Sequence, residues 1–502
     1  MKTASEWLKQ AQALNIRNQA FINGNYLAAA SERTFECINP ATGRVLTRVA
    51  ACDQADVDRA VTHARAVFER GAWSRMSPTE RGRRLIRFAE LIEANSEELA
   101  LLESLDVGKP ISDSLSVDIP LAHKAIRWYG EAIDKLYDEV APTAQSTIAL
   151  IRREPIGVVA AVVPWNFPLL MAAWKIGPVL AAGNSIILKP AEQSPLTALR
   201  VAELAAEADI PDGVFNVVPG YGETAGQALG RHIGVDAVTF TGSTEVGKMF
   251  LRYSGESNMK RVSLECGGKS PNIVFDDAPD LDAAATAAAW GIFYNQGEVC
   301  NAGSRLLVQR GIKDEFVEKV LRVAKSIKVG DTLDPSTQMG PIVDESQLSR
   351  VLDYIAVGTA EGARVRVGGQ RITNSSGYFV EPTVFDNVSN SMRIAQEEIF
   401  GPVLSTIAFD SVEEAIHLAN DTQYGLAAGV WSSDINKVHH VTNALKAGVV
   451  WVNCFDRGDM SVPFGGVKQS GFGRDKSLHA LEKYTDLKST WIHIGDSPFQ
   501  KR

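Results

Sequence analysis

Cys300 stands in the segment Asn295-Gln-Gly-Glu-Val-Cys-Asn-Ala-Gly-Ser-Arg, with residues of small or polar type on its C-terminal side. The segment directly follows an apolar, helix-like run over residues 281–294, so we expect the thiol at a helix-to-loop junction rather than in a packed core. A thiol in such a place can act as a nucleophile when its pKa is lowered. A lone cysteine is more often an inert core residue, so the assignment depends on the rest of the chain.

Two other side chains have types and positions that suit acyl chemistry. Glu265 ends an apolar strand in Leu264-Glu-Cys-Gly-Gly, where partial burial would raise its pKa and make it a general base. Its alternative role is an N-cap or an ion pair. Asn166, in Pro164-Trp-Asn-Phe-Pro, follows a buried strand, and its amide could stabilise an oxyanion or simply form an Asx turn.

Two glycine-rich turns predict a dinucleotide site. Gly220-Tyr-Gly-Glu-Thr-Ala-Gly226 nearly matches the dinucleotide fingerprint, although its last spacer is one residue too long. Phe240-Thr-Gly-Ser-Thr-Glu-Val-Gly247 is a second strand, turn and helix start, whose free backbone N–H groups could hold a pyrophosphate. Gly268-Lys-Ser resembles the end of a P-loop, but Ser263 stands where the first glycine is required, which excludes an ATP site of that kind.

Lys189 and Glu192 follow a short apolar strand, at the kind of strand end where ribose is recognised in parallel sheets. An acidic Glu192 would bond a ribose hydroxyl and repel a 2′-phosphate. This favours NAD over NADP and leaves open whether NADP is tolerated. The alternative is that both are solvated surface charges.

Composition narrows the class of protein. The 502 residues are 45% hydrophobic and 22% charged, with a net charge of −9, which fits a globular chain of two or three domains and argues against nucleic acid as a partner. Five scattered cysteines without a CxxC pair predict no metal site and no disulfide framework, and fit a reducing compartment. We find no signal peptide and no run of about 18 apolar residues, so we expect a cytoplasmic protein without a membrane partner.

Strand-like and helix-like segments alternate along the chain, which predicts βαβ units and parallel sheets. The fold class is therefore α/β, with two halves hinged near residues 265–268. The expected strands cover residues 156–163, 185–188, 215–218, 237–240, 261–264, 306–308, 380–384 and 403–409. The expected helices cover residues 168–182, 194–208 (with Ser194 as N-cap and Pro195 at the first helical position), 313–328 and 412–420.

Two segments differ from this alternation. Residues 131–150 suggest a projecting hairpin, and residues 488–494 suggest a free C-terminal strand. Unpaired strands often complete a neighbour's sheet, so we expect a homo-oligomer, a dimer or a tetramer, although both segments could pack on their own domain.

Six segments, in order, resemble the signatures of the aldehyde dehydrogenase superfamily. They are Pro164-Trp-Asn-Phe-Pro-Leu, Phe240-Thr-Gly-Ser-Thr-Glu, Leu264-Glu-Cys-Gly-Gly-Lys-Ser-Pro, Asn295-Gln-Gly-Glu-Val-Cys, Glu397-Glu-Ile-Phe-Gly-Pro and Pro463-Phe-Gly-Gly-Val-Lys-Gln-Ser-Gly. Within the family, segments near Asp456 and Gly473 are most similar to the γ-glutamyl-γ-aminobutyraldehyde and 4-guanidinobutyraldehyde dehydrogenases of bacterial polyamine (putrescine) catabolism.

The resemblance implies a Rossmann-like NAD-binding domain, an α/β catalytic domain and a small β oligomerisation element. The boundaries that we expect are residues 1–130 and 151–265 for the NAD-binding domain, 131–150 for the hairpin, 266–470 for the catalytic domain and 471–502 for a C-terminal segment with an oligomerisation strand.

The resemblance also implies a mechanism. Cys300 would add to the aldehyde as a thiolate, the amide of Asn166 would hold the oxyanion, and hydride transfer to NAD would leave a thioester that Glu265 hydrolyses through water. Lys175 would take part in a proton relay with Asp486 as its acidic partner. The implied cofactor contacts are Val163, Pro164, Trp165, Lys189, Glu192, Gly222, Gly226, Phe240, Thr241, Gly242, Ser243, Gly247, Glu398 and Phe400.

The resemblance places a substrate tunnel along Val117, Asp118, Leu121, Phe167, Leu170, Met171, Trp174, Tyr294, Phe455, Asp459 and Phe464. Aromatic walls suit a methylene chain. Asp118, Asp456 and Asp459 would place negative charge near the mouth and favour an aldehyde with a cationic amino or guanidino end. The alternative is that these aspartates cap helices or face solvent, in which case a broad-range aliphatic or aromatic aldehyde dehydrogenase is expected.

Two other classes compete with this interpretation. A CoA-acylating relative usually lacks the deacylating glutamate, and Glu265 is present. An idle family member with a structural role would be expected to lack Cys300, Asn166 or Glu265, and the chain has all three.

Overall fold

Two twisted, largely parallel β-sheets form the frame of the chain in the computed structural model, which describes residues 2–373 and 376–495. The helices are α1 Ala4–Gln12, α2 Gln54–Arg70, α3 Pro78–Ala94, α4 Ser96–Val107, α5 Ile111–Asp113, α6 Ile119–Ala132, α7 Pro168–Ala181, α8 Leu196–Glu207, α9 Gln227–Arg231, α10 Thr244–Gly255, α11 Leu281–Phe293, α12 Lys313–Ser326, α13 Glu345–Ala360, α14 Arg393–Gln396, α15 Val412–Asn420 and α16 Ile435–Ala444. The strands are β1 Ala20–Ile22, β2 Asn25–Leu27, β3 Thr34–Asn39, β4 Arg44–Ala50, β5 Glu139–Ala141, β6 Thr147–Pro155, β7 Val158–Val162, β8 Ser185–Lys189, β9 Phe215–Val217, β10 Ala237–Gly242, β11 Arg261–Cys266, β12 Pro271–Val274, β13 Arg305–Gln309, β14 Arg364–Val367, β15 Thr383–Asp386, β16 Val403–Phe409, β17 Ala427–Trp431, β18 Val449–Val452, β19 Gly471–Phe472 and β20 Thr485–His493.

The first sheet has the strand order β19-β11-β10-β7-β8-β9-β1-β2. Strands β11, β10, β7, β8 and β9 are parallel. At one edge β19 pairs antiparallel with β11, and at the other β1 pairs antiparallel with β9 and then with β2. Helices cover both faces, so β7 and β8 are buried throughout and are composed of continuous apolar runs rather than alternating ones. These are the parallel βαβ units that the sequence predicts.

The second sheet has the order β14-β15-β16-β13-β12-β17-β18, and only β14 is antiparallel. The chain crosses between the sheets after β11 and enters the second at β12, within the region in which the sequence predicts the hinge. It returns to the first sheet through β19. The carboxyl end of β11 therefore faces the second sheet, which puts Glu265 between the two halves.

A third, antiparallel sheet, β20-β6-β5, differs from the prediction in two ways. Residues 131–135 are helical, since α6 runs to Ala132 and a 3-10 turn follows at Ile133–Lys135, so the hairpin begins later than expected. The C-terminal strand is not free: β20 pairs with β6 over nine residues, from Thr485↔Pro155 to His493↔Thr147. Residues 496–502 of the predicted C-terminal segment lie outside the described residues.

The N-terminal cap of α8 also differs from the prediction. Within the described part of the chain the Ser194 hydroxyl has no hydrogen-bond partner, and Pro195 occupies the cap position. The carboxylate of Asp106, at the end of α4, accepts instead from the backbone N–H of Leu196 at 3.1 Å. A cap supplied by a distant helix has no local sequence signal, which explains the error. Among the described residues, no helix is long and apolar enough to cross a membrane.

Candidate active site

The loop before Cys300 is a tight turn that follows the end of α11. Asn295, Gln296 and Gly297 are all left-handed, with φ of 47°, 58° and 71°. A Cβ on Gly297 would lie 2.2 Å from the carbonyl oxygen of Gly401, so only glycine fits there. Non-glycine residues in this region cost about 1–3 kcal/mol each, so the surrounding contacts must fix the turn.

Buried polar groups provide those contacts. The backbone N–H of Gly340 donates to Gln296 Oε1 at 3.0 Å, and that of Val343 donates to Glu298 Oε1 at 3.1 Å. Burial raises the pKa of Glu298 well above its ordinary value, and its Oε1 is already occupied by the bond from Val343. These bonds tie the nucleophile loop to the segment that leads into α13.

Asn166 lies directly against this loop. It is buried, and its Nδ2 donates to the carbonyl oxygen of Glu298 at 2.7 Å, while Asn295 Nδ2 donates to the carbonyl oxygen of Asn166 at 3.1 Å. A side-chain amide carries two N–H donors. One orients Asn166 and the second is left for an oxyanion formed beside Cys300.

Cys300 as a residue is partly exposed, whereas Cys37, Cys52 and Cys266 are buried. The protein enclosing the thiol raises its pKa above the ordinary value, and the carboxyls of Glu398 and Glu265 add to the effect. The group is therefore a neutral thiol at pH 7 in this conformation. The sequence-based condition of a lowered pKa is not met in the chain by itself, and thiolate formation has to accompany binding or proton removal.

Glu265 ends β11 with both carboxyl oxygens buried and without a hydrogen-bond partner among the described residues. Burial raises its pKa well above the ordinary value, and the nearby Asp475 raises it further. Its Oε1 lies 2.6 Å from the position of a Cβ on Gly465, so a side chain there would displace it. A desolvated carboxyl with free oxygens can take a proton from water once it is ionised.

Lys175 has a different partner from the one expected. Its Nζ lies 2.5 Å from Asp475 Oδ2, and Lys483 Nζ lies 2.6 Å from Asp475 Oδ1, with Asp475 fully buried. Asp486 is exposed on β20 and pairs with Arg261, so the prediction that it partners Lys175 is wrong. The reason is topological, since β20 leaves the core to join the small sheet. Burial alone would raise the pKa of Asp475, but the two ammonium groups hold it below its ordinary value.

The predicted ribose residues lie at the carboxyl end of β8. Lys189 is buried and its Nζ lies 3.1 Å from Glu192 Oε2, which keeps one oxygen of that carboxylate available. The backbone N–H of Val163 donates to the carbonyl oxygen of Lys189. Gly222 begins a π-helical turn, Gly222–Gly226, and a Cβ on it would meet nothing within 4 Å, which leaves open space beside the strand ends.

The second glycine turn leads into α10. Ser243 caps the helix by accepting from the backbone N–H of Val246 at 3.3 Å, and its neighbour Thr241 has a buried hydroxyl with no partner among the described residues. A Cβ on Gly242 would lie 2.5 Å from the ring of Phe240, and one on Gly247 would lie 2.9 Å from Cys266 Sγ. The helix N-terminus, the free hydroxyl and the close packing fit a pyrophosphate and its backbone donors.

Glu398 and Phe400 lie on the other side of the predicted cofactor site from the second glycine turn. Glu398 Oε1 accepts from the backbone N–H of Gly268 at 3.0 Å, and burial raises its pKa to about 7. Phe400, in a left-handed conformation, packs edge-to-face on Trp165 with ring centroids 5.2 Å apart. Sequence reasoning missed Gln347 and Arg350 of α13, which hold this loop by donating to the carbonyl oxygens of Phe400 and Glu398.

Aromatic rings lie on either side of the Cys300 loop. Phe167 and Tyr294 approach with centroids 6.3 Å apart, and Trp174 and Phe464 with centroids 5.5 Å apart. Phe455 packs within about 3.1 Å of the Cβ positions of Gly291 and Gly303, which flank the loop. Of the other predicted tunnel residues, Leu170 and Met171 are buried on α7, and Leu121 is exposed on α6 with Val117 half-buried just before it; Pro164 is half-buried beside Trp165.

Asp118 is not a free charge at the tunnel mouth, and this prediction is wrong. It is fully buried, and its Oδ1 lies 2.6 Å from Lys109 Nζ, which itself sits 3.8 Å from the ring centroid of Phe167. A buried carboxylate is retained only with a partner, and Lys109 is that partner. Asp456 accepts from Asn301 Nδ2 at 2.7 Å, and Asp459 is exposed and accepts from the Ser461 backbone and hydroxyl.

The chain belongs to the aldehyde dehydrogenase family. The model of that family matches residues 26–490. The chain is 54% identical over 488 residues to the NADP/NAD-dependent aldehyde dehydrogenase PuuC of Escherichia coli (strain K12), covering 97% of this chain and 98% of the relative.

Two crystal structures superpose closely, each with a TM-score of 0.97 and coverage of 98% of this chain and 100% of the other. One is an indole-3-acetaldehyde dehydrogenase complexed with NAD⁺, at 61% identity. The other is a γ-glutamyl-γ-aminobutyraldehyde dehydrogenase from Burkholderia cenocepacia J2315, at 56% identity. The fold is therefore the aldehyde dehydrogenase fold, and the protein is an aldehyde-oxidising enzyme.

Proposed function

We propose that the chain oxidises an ω-amino, γ-glutamylamino or guanidino aldehyde to the carboxylic acid with NAD, through a thiohemiacetal and a thioester on Cys300. The observation that carries the proposal is the meeting of three groups at one cleft. They are the thiol of Cys300, a partly exposed residue; the oriented amide of Asn166 with a spare donor; and the buried carboxyl of Glu265, which has no hydrogen-bond partner among the described residues.

The chemistry follows from these groups. Once the thiol of Cys300 has released its proton to water, its sulfur forms a bond to the aldehyde carbon as the carbonyl π bond breaks, and the carbonyl oxygen becomes an oxyanion that accepts from Asn166 Nδ2 and the backbone N–H of Cys300. NAD, when bound, accepts the hydride from that carbon. Glu265 then takes a proton from water, the water oxygen adds to the thioester, and the carbon–sulfur bond breaks to release the acid.

The cofactor groove supports NAD as the acceptor. Lys189 and Glu192 would hold the adenine-side ribose, the N-terminus of α10 with Gly242, Ser243 and Thr241 the pyrophosphate, and Glu398 the nicotinamide-side ribose. The indole-3-acetaldehyde dehydrogenase binds NAD⁺, and PuuC is named as NADP/NAD-dependent.

Changing Glu192 to glutamine tests the proposed cofactor preference. The variant loses the negative charge that opposes a 2′-phosphate, so we expect the ratio of kcat/KM for NAD to that for NADP to fall by roughly tenfold, about 1.4 kcal/mol. Initial rates with each cofactor at saturating aldehyde measure the ratio. Glu223→Gln, an exposed change in the neighbouring turn, is the matched control. An unchanged ratio in Glu192→Gln would remove this residue from ribose recognition.

Carboxylates around the aromatic cleft support a cationic substrate. Burial raises the pKa of Tyr294 well above its ordinary value, and the charges of Asp118, Asp113 and Asp456 raise it further, so these carboxyls act on the electrostatics of the aromatic region. With Asp118 paired to Lys109, the carboxyls of Asp113 and Asp456 remain; burial raises the pKa of both, that of Asp113 to about 6, and a cation bound beside them would favour their charged forms. The γ-glutamyl-γ-aminobutyraldehyde dehydrogenase is a relative whose name agrees with an aldehyde of this kind.

A second candidate is an enzyme for aromatic or broad-range aliphatic aldehydes. The indole-3-acetaldehyde dehydrogenase is 61% identical, and the rings of Phe167, Trp174 and Phe464 would accommodate an aryl group equally well. The two candidates share the chemistry on Cys300 and differ only in what the outer cleft contacts.

A substrate panel separates the two candidates. Initial rates with NAD are compared for γ-aminobutyraldehyde, its γ-glutamyl and guanidino derivatives, 3-hydroxypropionaldehyde, hexanal, benzaldehyde and indole-3-acetaldehyde. We expect the cationic or γ-glutamyl aldehydes to lead in kcat/KM by about tenfold, or 1.4 kcal/mol of transition-state discrimination. A lead for hexanal, benzaldehyde or indole-3-acetaldehyde would assign the chain to the second candidate.

The proposal includes a cytoplasmic homo-oligomer, a dimer or a tetramer. All five cysteines are free, which fits a reducing compartment. The outer edge of β20 is unpaired within the described chain, and it exposes Leu487 and Trp491 at 64% and 68%. Light scattering at several protein concentrations measures the assembly.

A further inference from the structure

Lys476 places a cation beside the outer cleft, where the sequence predicts only negative charge. The side chain is buried to 8% exposure, and its Nζ lies 5.5 Å from the ring centroid of Trp174. The same Nζ lies 3.2 Å from the Cβ position of Gly458, on the segment that carries Asp456 and Asp459. The ammonium group is therefore in the wall formed by Trp174 and this segment.

The backbone fixes Lys476 in this position. Lys476 and Ser477 are both left-handed, with φ of 63° and 51°, which is uncommon for residues with side chains. The flanking Asp475 exchanges two backbone hydrogen bonds with Phe464, and the backbone N–H of Ser477 donates to the carbonyl oxygen of Met460 at 2.8 Å. Strained backbone that is held from both sides is frequent at ligand-binding sites.

The ammonium group has no committed partner. Among the described residues, no carboxylate oxygen lies within 4 Å of Lys476 Nζ, and the group makes no hydrogen bond. Asp459 uses Oδ1 for the Ser461 backbone and hydroxyl, and Asp456 uses Oδ1 for Asn301, which leaves the second oxygen of each free. One cation and two carboxylates thus lie on facing segments without pairing.

We propose that Lys476, with Asp456 and Asp459, is a subsite for a zwitterionic α-amino-acid end of the aldehyde substrate. Lys476 binds the carboxylate of that end and the aspartates bind its ammonium group. A nearly buried ammonium group attracts a charged partner more strongly than an exposed one does, because the surrounding protein screens the interaction less than water does. The subsite rests on the proposed function and makes it narrower, since a plain ω-amino or guanidino aldehyde offers nothing to Lys476.

Three aldehydes of one length isolate each charge. They are γ-glutamyl-γ-aminobutyraldehyde, its analogue without the α-carboxylate (the 4-aminobutanoyl amide), and its analogue without the α-ammonium group (the glutaryl amide). Hexanal reports on the catalytic chemistry alone. We expect the wild-type enzyme to prefer the zwitterion over both analogues in kcat/KM.

Lys476→Met keeps the side-chain length and the unbranched Cβ that the left-handed backbone accepts, and removes the charge. We expect it to lower kcat/KM about tenfold for the two carboxylate-bearing aldehydes, mainly through a higher KM. The 4-aminobutanoyl amide and hexanal should change less than twofold. Lys476→Arg should recover most of the loss, and Asp459→Asn should instead penalise the two ammonium-bearing aldehydes.

The outcomes distinguish the subsite from the proposed function. An equal loss with hexanal in Lys476→Met, or no wild-type preference for a carboxylate, would overturn the subsite and leave Lys476 as a charge that only offsets its acidic neighbours. If hexanal leads the wild-type panel but Lys476→Met still lowers kcat/KM for the two carboxylate-bearing aldehydes and not for hexanal, the polyamine-type function fails and the carboxylate site stands.

Discussion

Glu265→Gln is expected to produce one equivalent of NADH per subunit and then to stop turning over. The amide cannot take a proton from water, so the thioester on Cys300 accumulates once hydride has been transferred. Steady-state turnover should fall by about 10²–10⁴-fold, which is the usual contribution of a general base. Rapid mixing with NAD and aldehyde, followed at 340 nm, separates the burst from the steady state.

The burst itself should survive because Glu265 opposes thiolate formation. Its carboxylate is one of the charges that raise the pKa of Cys300, so replacing it with a neutral amide makes the thiolate easier to form. Intact-protein mass spectrometry should find the acyl group on Cys300. A variant without any burst would show that Glu265 is needed before the thioester, and would reassign it to activation of the thiol.

Cys300→Ser supplies the comparison. A serine hydroxyl is a far weaker nucleophile than a thiolate at pH 7, so both burst and turnover should fall by at least about 10⁴-fold. In the wild-type enzyme, the rate of alkylation of Cys300 by iodoacetamide should rise with pH across the neutral range, because enclosure raises the thiol pKa. Rapid alkylation that is independent of pH would contradict that direction.

The parallel sheets were predictable because the sequences of buried parallel strands are unbroken runs of apolar residues. Residues 185–188 and 403–409 predict strands and form β8 and β16 with at most one residue of difference. Errors occurred where the structure depends on distant residues. Asp106 caps α8 from another helix, and β20 finds its partner in β6, more than 300 residues away in the chain.

The candidate site shows the same difference between features set by local sequence and features that depend on distant residues. Cys300, Asn166 and Glu265 lie at strand or helix ends, where local pattern and chemistry agree, and the structure brings their segments to one cleft. Charged residues near them could not be placed from type alone. Asp118 is neutralised by Lys109, and Lys476 reaches the cleft only because two left-handed residues turn the chain there. The turn that carries Lys476 had only a weak sequence signal, which is that the charges in Gly473-Arg-Asp-Lys-Ser have no helical spacing.

Asp475→Asn is expected to destabilise the protein by about 3–5 kcal/mol, because it leaves Lys175 and Lys483 buried without their shared carboxylate. Denaturant unfolding, followed by fluorescence, measures the change. Asp486→Asn is the matched control: the same substitution in an exposed pair with Arg261 should stay within about 1 kcal/mol. Similar losses of unfolding free energy in both variants would show that Asp486 contributes as much to stability as Asp475 does.

The stability difference should depend on pH in a fixed direction. The folded chain holds the pKa of Asp475 below its ordinary value of 3.8, so the carboxylate stabilises the fold above that pH and ceases to do so as the pH falls through the lower, folded value. The gap between wild type and Asp475→Asn should therefore be full at pH 7 and shrink in strong acid. A gap that grows in acid would contradict an ionised Asp475.

The pH dependence of catalysis tests whether Asp475 has more than a structural role. The charge of Asp475 raises the pKa of Glu265, whereas Lys175 and Lys483 lower it. Removing the Asp475 carboxylate takes away a charge that raises the pKa of Glu265 and leaves unopposed the two ammonium groups that lower it. The acid limb of the kcat–pH profile for deacylation should therefore move to lower pH in Asp475→Asn. Asp475→Glu keeps the charge and should keep the limb in place even if the longer side chain costs stability. An unchanged acid limb in the folded Asp475→Asn enzyme would limit the Lys175–Asp475–Lys483 cluster to holding α7 against the C-terminal segment that carries Asp475 and Lys483.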